Sequence, residues 1–297
     1  MPFPVVIVGP LAYDEVRTPS GLRAGLLGGS AAYASIASAK YGPTGLVSVA
    51  GLDLADGDLG LLRDAGVDVE GVERRDGPTL RWSGTYAEDF GRSDVRNTDL
   101  GVVAGWEPRI PDAYRDARRV LLANTDPRAQ LEALVQLAPS IVVLDTMDQW
   151  IREAPKLALV IARATVLSLN VRELALMTGI ADVARAAAML LARGPRAVIV
   201  KSGAAGASLI TPDAIRSVPA YPAAVVDPTG AGDAFAGAFL GRLAALPSAD
   251  RVALRDAFAH GAAAASIALE SFGVDALLRA DRSELDRRAA WIDARAR

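Results

Sequence analysis

Short apolar runs alternate with helical windows along most of this 297-residue chain, most regularly in its second half. Alternation of this kind is typical of right-handed βαβ units, whose strands form a parallel sheet. The predicted strands are 5–9, 45–51, 120–124, 141–146, 165–170 and 197–201, and the predicted helices include 128–137, 149–163, 171–178, 182–194, 233–246 and 252–269.

The alternation breaks at residues 78–104, where the sequence is more polar and rich in turn-forming residues. Within it, TLRWSGTY (79–86) carries β-prone residues at alternate positions and predicts a strand. This stretch is expected to form a small excursion from the main sheet, a lid. No repeat or linker interrupts the rest of the chain.

The composition argues against several classes of protein. Hydrophobic residues make up 51% of the chain and charged residues 23%, as in an ordinary folded protein. The net charge of −3 argues against a chain built to coat nucleic acid, and no apolar run reaches the roughly 18 residues of a membrane span. Neither nucleic acid nor membrane is therefore expected as a partner.

Cysteine is absent, which excludes disulfides, thiolate nucleophiles and cysteine-bound metals. Its absence, and an amino terminus without a basic signal segment, favour a cytoplasmic location. A single histidine, His260, excludes a histidine-rich metal site.

The stretch DPTGAGDAFAGAF (227–239) carries the strongest chemical signal. Pro228 disfavours a helix before it, while Gly230 and Gly232 permit positive φ and leave backbone N–H groups uncovered. An apolar helix then begins near Asp233, so that N–H donors and the positive end of a helix dipole coincide. The stretch predicts an anion site, although Asp233 by itself also fits a simple helix-starting residue.

The predicted helix has an apolar stripe and a line of glycines. Gly237 and Gly241 lie four residues apart and predict that a neighbouring element approaches closely. The apolar stripe, expected to be buried, contains Phe235, Phe239, Leu240 and Leu243.

Two better-known phosphate motifs are missing. No Gly-Lys dipeptide occurs, so there is no Walker A loop. Gly230-Ala231-Gly232 begins a G-x-G-x-x-G pattern, but Phe235 stands at its third glycine position, far from the amino-terminal βαβ unit where a dinucleotide site is usual. A nicotinamide-dependent oxidoreductase is therefore disfavoured.

DPTGAGDAFAGAF resembles the carboxy-terminal signature of the ribokinase-like (PfkB) family of carbohydrate and nucleoside kinases. Other stretches similar to family landmarks follow in family order between residues 5 and 273. The resemblance implies an α/β fold, a ribokinase-like three-layer sandwich with a mostly parallel central sheet and a small β-sheet lid. It implies a single kinase domain over 1–297, with the lid built from approximately 10–28 and 78–104.

The resemblance also implies where an acceptor binds. VGPLAYD (8–14) is similar to the segment whose aspartate grips substrate hydroxyls, a role that falls to Asp14. LGGSAAYASIASAKYG (27–42) is similar to the glycine motif in which Gly28 and Gly29 approach the acceptor.

Two departures from the family pattern bear on the acceptor. Tyr33 stands where relatives usually carry asparagine, and a phenol lacks the paired donor and acceptor of an amide. Ala12 stands where ribokinases often have a polar residue. These changes weaken the case for ribose and leave sugars, polyols and nucleosides open. Asn124, after a predicted strand, is a further candidate for contact with the acceptor.

LNVREL (169–174) matches the family's N-x-x-E motif. There Asn170 and Glu173 would act around Mg²⁺ and the phosphates, the glutamate through water, as suits an ion that keeps several waters. The same spacing is common in helix caps.

VIVKSGAAGASLI (198–210) resembles the family's strand–turn–strand over the nucleotide. Gly203 and Gly206 would let the backbone lie near phosphate and ribose. Lys201 would either contact phosphate as a point charge or remain solvated.

FAHGAAAASIALESFG (258–273) is similar to the family's last helical region. His260 would border the adenine there, or else be a packing residue of the helix. Asp227 resembles part of the family's loop for a monovalent cation, which makes K⁺ activation a further implication.

The resemblance implies ATP-dependent phosphorylation of a small-molecule alcohol, with ATP and Mg²⁺ as cofactors. Asp233 would take the proton of the attacking hydroxyl. Backbone N–H groups of Gly230, Ala231 and Gly232 would stabilise the transferred phosphoryl group. The alternative is a non-catalytic sensor that binds a sugar or nucleotide on the same fold, against which the intact GAGD weighs.

The lid residues leave further alternatives open. Trp82 and Tyr86 are expected on one strand face, either stacking on a sugar or forming a homodimer contact. Arg92 and Arg96 are candidates for phosphate or substrate contact, or are solvated charges.

Overall fold

The computed structural model describes residues 4–88, 90, 93–152 and 154–297, and its strands form two sheets. The strands are β1 Val5–Val8, β2 Ala12–Thr18, β3 Gly21–Gly28, β4 Thr44–Gly51, β5 Val67–Arg75, β6 Leu80–Tyr86, β7 Ser93–Asp99, β8 Arg119–Leu122, β9 Ile141–Asp145, β10 Val166–Asn170, β11 Ala197–Lys201, β12 Ala207–Thr211 and β13 Ala214–Val218. Among the described residues, nine strands form the main sheet, in the order β13-β12-β11-β10-β9-β8-β1-β4-β5. Strands β11 to β5 in this order run parallel, and β12 and β13 add an antiparallel edge.

Helices cover both faces of the main sheet. They are α1 Ser30–Ala39, α2 Asp56–Asp64, α3 Pro127–Gln136, α4 Asp148–Ile151, α5 Ala154–Ile161, α6 Val171–Thr178, α7 Val183–Leu191, α8 Ala231–Ala245, α9 Arg251–Ala268, α10 Asp275–Arg279 and α11 Arg282–Asp293. One apolar cluster joins α1, α2 and α8 to α11 with Val5 and Ile7 of β1, and a second joins α3 and α5 to α7 with Val6 and Val8. This alternation along β1 confirms the predicted three layers and mostly parallel sheet.

The strands predicted from the apolar runs are confirmed as β1, β4 and β8 to β11. One predicted helix is wrong: 149–163 contains the two helices α4 and α5 instead. Pro155 lies in the first turn of α5, a position that proline favours.

A second sheet has the strand order β3-β2-β6-β7. Strand β2 pairs antiparallel with β3 and parallel with β6, and β6 pairs antiparallel with β7. These strands come from the two segments where the lid was predicted. That the sheet closes over a ligand stays a prediction.

Glycines of α8 lie directly against α1, which confirms the predicted close approach. A Cβ added at Gly237 would lie 2.1 Å from the carbonyl oxygen of Ala34, and one at Gly241 would lie 2.7 Å from that of Ser38. The two helix backbones therefore touch where any larger residue on α8 would separate them.

No single helix in the described part of the chain has both the length and the apolar character needed to cross a bilayer; α6 and α7, bent by 63°, reach them only when taken together.

Gly237→Ala is expected to lower the free energy of unfolding by about 1–3 kcal/mol, because the added methyl group forces α8 away from α1. Urea unfolding followed by circular dichroism measures the change. Gly60→Ala is the matched control: an added Cβ at this position in α2 meets no atom within 4 Å, and the substitution is expected to stabilise the helix by about 0.5–1 kcal/mol. Equal unfolding midpoints for Gly237→Ala and the unsubstituted protein would contradict the close approach.

Candidate active site

The turn before α8 depends on one left-handed residue. Gly230 has a φ of 74° and forms the N-cap of α8, and an added Cβ there would lie 2.3 Å from the ring of Tyr33. Gly232 differs from expectation, since it lies inside the helix without a positive φ. An added Cβ at Gly232 would lie 3.0 Å from Nζ of Lys201. Gly230 therefore allows the turn, whereas the absence of a side chain at Gly232 leaves room for the ammonium group of Lys201.

The first turn of α8 brings backbone donors and an acid together. No side chain caps this helix, and Asp233 is the acidic residue of its first turn. The N–H of Ala231 donates to the carbonyl of Pro228 over a long 3.3 Å. The first N–H groups of a helix lack intrahelical partners, and the helix dipole adds positive potential at this end. The predicted combination is present, and anion binding to it stays a prediction.

The carboxyl group of Asp233 has a raised pKa. Desolvation by burial and the nearby carboxylate of Asp145 raise the pKa of Asp233, the ammonium group of Lys201 opposes them, and the result is a pKa of about 7. Asp233 is therefore a weaker acid than an exposed aspartate.

Asp14 is the second buried acid of the site. It lies on β2 with 3% of its surface exposed, and an added Cβ at Gly28 would lie 2.0 Å from its Oδ2. Burial raises its pKa to about 7, although a hydrogen bond from the backbone N–H of Gly29 opposes the shift. Gly29 itself has a φ of 82° at the start of α1. Gly28 thus leaves room for the carboxylate of Asp14, and Gly29 donates a hydrogen bond to it.

One cavity of about 220 Å³ contains most of the acceptor-site candidates. Asp14, Gly29, Tyr33, Asn124, Gly230 and Asp233 all line it. It lies where the second sheet faces the carboxyl ends of β1, β8 and β9, the edge of a parallel sheet at which ligands usually bind. The sequence-predicted residues therefore come together from four separate parts of the chain.

Lys201 is neither solvated nor free. Its Nζ forms an ion pair with the buried carboxylate of Asp145 at 3.1 Å, and 18% of the lysine side chain is exposed. Burial alone would lower the pKa of Lys201, but Asp145 and Glu173 hold it above its ordinary value. Lys201 is therefore a cation beside the first turn of α8.

Asp145 is the residue that sequence reasoning missed. It ends β9 after four apolar residues, and burial raises its pKa while Lys201 opposes the shift. A carboxylate at the carboxyl end of a buried parallel strand was the available signal, since such positions meet at one edge of the sheet.

Asn170 and Glu173 form a capping box at the start of α6. The side chain of Asn170 accepts from the backbone N–H of Glu173 at 2.9 Å, and that of Glu173 accepts from the N–H of Asn170 at 2.8 Å. Burial raises the pKa of Glu173 to about 7, with Lys201 opposing. The cap fixes the glutamate close to Lys201, and its role toward Mg²⁺ stays a prediction.

The glycines of the turn after β11 have different surroundings. Gly206 has a φ of 95°, and an added Cβ there would lie 2.0 Å from the carbonyl oxygen of Val218. Gly203 has a φ of 55° and open space around its Cα. Gly206 is therefore needed for packing, while Gly203 leaves its backbone accessible.

His260 is not brought into this group. Its Nδ1 lies 2.9 Å from the carbonyl oxygen of Asp256 and its Nε2 lies 3.0 Å from Oδ1 of Asp286. It lines a separate cavity between α8, α9 and α11 with Arg242 and Arg282. His260 thus lies away from the cavity that Asp14 and Asp233 line, and that it borders the adenine stays a prediction.

The loop before the glycine turn is organised by Asp227. Its Oδ1 accepts from the N–H of Thr229 at 2.8 Å, and its Oδ2 from the N–H of Gly273 at 3.4 Å. The hydroxyl of Thr229 donates to that of Tyr86 at 3.2 Å, which links the loop to the second sheet. Binding of K⁺ near Asp227 stays a prediction.

The remaining candidate residues of the lid have different surroundings. Trp82 lines the cavity, whereas Tyr86 contacts Thr229; that Trp82 stacks on a sugar or forms a dimer contact stays a prediction. The side chain of Arg96 is mostly exposed, and its Nε lies 3.8 Å from Oδ2 of Asp94, as expected for a solvated charge. Arg92 lies outside the described residues.

Known proteins resemble this chain in sequence and fold. A sequence model of the pfkB family of carbohydrate kinases matches residues 13–281. The cytidine kinase of Thermococcus kodakarensis is 32% identical over 245 residues, which cover 80% of this chain and 87% of that relative.

Two solved structures show the same architecture. The nucleoside kinase of Burkholderia thailandensis, in complex with inosine, has a TM-score of 0.78 at 20% identity, with 97% of this chain and 98% of that chain covered. A candidate ribokinase II from E. coli, in complex with ATP and Mg²⁺, has a TM-score of 0.78 at 21% identity, with 97% and 99% covered.

Lys201→Met is expected to raise the pKa of Asp233 above its present value, because it removes the ammonium group that favours the ionised carboxylate. Carbon-13 NMR titration of the aspartate carboxyl carbons measures the shift. Lys156→Met on α5 removes a lysine from outside the cluster and is expected to leave the titration unchanged. An unchanged or lower pKa of Asp233 in Lys201→Met would contradict the assigned role.

Proposed function

Because this chain belongs to the pfkB family of carbohydrate kinases, we propose that it transfers the γ-phosphate of ATP to a hydroxyl group of a small sugar, polyol or nucleoside. The observation that carries this proposal is the position of Asp233, in the uncapped first turn of α8 and in the same cavity as Asp14. A cytidine kinase as relative, and neighbours solved with inosine or with ATP and Mg²⁺, support it.

Asp233 is the proposed general base. A base works best when its pKa lies near the working pH, and the pKa of Asp233 is about 7. Its carboxylate would take the proton of the acceptor hydroxyl, while Asp14 would hold neighbouring hydroxyls.

The first turn of α8 is the proposed anion hole. Phosphoryl transfer needs mainly positioning and electrostatic stabilisation. Gly230, Ala231 and Gly232 supply backbone N–H groups and the end of a helix dipole, and Lys201, although paired with Asp145, places an ammonium group beside Gly232. The long contact from Ala231 to Pro228 is one that an anion can replace.

The site fits Mg²⁺ held mainly by phosphate and water. No group of three or more histidine, aspartate or glutamate side chains in the described ranges is arranged to hold a metal ion alone. Mg²⁺ commonly binds through one or two carboxylates, substrate phosphates and waters, and when bound it neutralises phosphate charge. Glu173, fixed by Asn170 and near Lys201, is the proposed carboxylate, acting through water.

Asp227 is proposed to help bind K⁺. It is 1% exposed, and in the described part of the chain no lysine or arginine pairs with it. Burial raises its pKa, and a nearby monovalent cation would offset the buried negative charge.

Asp233→Asn is expected to lower acceptor-dependent ADP release by about 10²–10⁴-fold, because the amide cannot accept the proton. The assay uses Mg·ATP and K⁺ with a panel of sugars, polyols and nucleosides. Asp213→Asn, on the exposed turn between β12 and β13, is the matched control and should keep full activity.

Two results would contradict the proposal. Full activity of Asp233→Asn would exclude it as the base. ATP binding without turnover on any acceptor would favour the sensor instead.

A further inference from the structure

The cavity has two chemically different walls. Tyr33 and Asp14 belong to the side of α1 and β2, where Asp233 also lies. The two walls adjoin where Asp14 pairs with Trp82 across β2 and β6. The second wall is mainly apolar, with Thr98 and Gln149 as polar members, and it packs against the second apolar cluster of the protein. Leu80, Trp82, Leu100 and Val103 form it, and Val95, Met147 and Trp150 extend it.

The mainly apolar wall suits a nucleobase better than a free sugar. A sugar carries hydroxyls around its whole ring, and a hydroxyl buried against apolar side chains without a partner costs free energy. A nucleobase has flat faces that stack on aromatic rings and a polar edge in the plane of the ring. Trp82 on β6 of the second sheet and Trp150 in α4, after β9 of the main sheet, offer such aromatic surface.

Asn124 supplies an amide with unused hydrogen-bonding capacity in this cavity. Its Oδ1 is buried without a partner, and its Nδ2 contacts only Sδ of Met147, at 3.0 Å, among the described atoms. Thioether sulfur is a weak acceptor. Turning the amide over would leave its nitrogen as the unpaired atom instead, so either orientation leaves capacity unused.

A hydrogen bond from α1 anchors the backbone of Asn124. Its carbonyl accepts from the hydroxyl of Ser30 at 3.2 Å, next to Gly29 at the start of α1. A side-chain amide presents a donor and an acceptor side by side, which matches the paired edge of a nucleobase. The same pair is less useful to the scattered hydroxyls of a sugar.

We infer that the acceptor is a nucleoside, with its ribose between Asp14 and Asp233, its base against Trp82 and Trp150, and the edge of the base bound by Asn124. This inference rests on the proposed kinase function and adds the class of acceptor and the residue that selects it. Asn124 is thus the specificity-determining residue of the site.

The test compares cytidine, adenosine and inosine with ribose as acceptors in the ADP-release assay. At least one nucleoside is expected to exceed ribose in kcat/KM by about 100-fold or more, since a site built to hydrogen-bond a group rejects analogues that lack it. Asn124→Ala should reduce that ratio by about tenfold or more, mainly through KM of the nucleoside. Asn124→Asp, which has no donor when ionised, should change the order of preference among the three bases.

Asn97→Ala is the matched control. Asn97 lies on β7 with its side chain exposed, next to the cavity-lining Thr98 but on the other face of the strand. It is expected to keep the ratio of nucleoside to ribose activity. Trp82→Ala should reduce this ratio in the same direction as Asn124→Ala.

Calorimetry without ATP separates this inference from the kinase proposal. Binding of a nucleoside that Asn124→Ala weakens about tenfold, with ribose binding far more weakly, would support the base site even if no acceptor were phosphorylated. Turnover of ribose or another free sugar as efficient as that of every nucleoside would overturn the inference and leave the kinase standing. An equal loss for ribose and nucleosides in Asn124→Ala would also overturn it.

Discussion

The contact between α1 and α8 fixes the geometry of the whole site. Small residues on both helices, Gly237 and Gly241 against Ala34 and Ser38, let the two backbones meet. At their amino ends this places Gly230 on the ring of Tyr33 and brings Asp233 into the cavity that Asp14 lines. A helix held through its backbone has little freedom to slide, so the acid and the donors of its first turn keep one position relative to β2.

Charged groups beside the first turn of α8 form the second feature that defines the site. Asp145, Glu173 and Asp233 surround a single ammonium group, Lys201, at the carboxyl ends of β9 to β11. Burying several acids together is unfavourable unless some stay protonated or a cation intervenes. Lys201 supplies such a cation in this site, and the proposed Mg²⁺ would supply a second.

Much of this arrangement could be predicted from local sequence. The alternating apolar runs, the glycine line of α8 and the N-x-x-E cap each depend on neighbours along the chain, so their patterns carried the information. Asp145 was missed because its partner, Lys201, lies 56 residues away and no local pattern joins them. The contact of His260 with α11 could not be predicted, because no local pattern indicates which face of α9 packs against that helix. The unused amide of Asn124 is likewise visible only once its surroundings are known.

The three carboxyl groups with pKa values of about 7, Asp14, Glu173 and Asp233, also make folding a proton-uptake process. Their ordinary values are 3.8 for aspartate and 4.5 for glutamate, so between those values and about pH 7 the folded chain binds more protons than the unfolded one. Stability from these groups is therefore present in full at low pH and is lost as the pH rises through 7. The ionised state that suits Asp233 to accept a proton is thus the state in which this region contributes least to holding the protein folded.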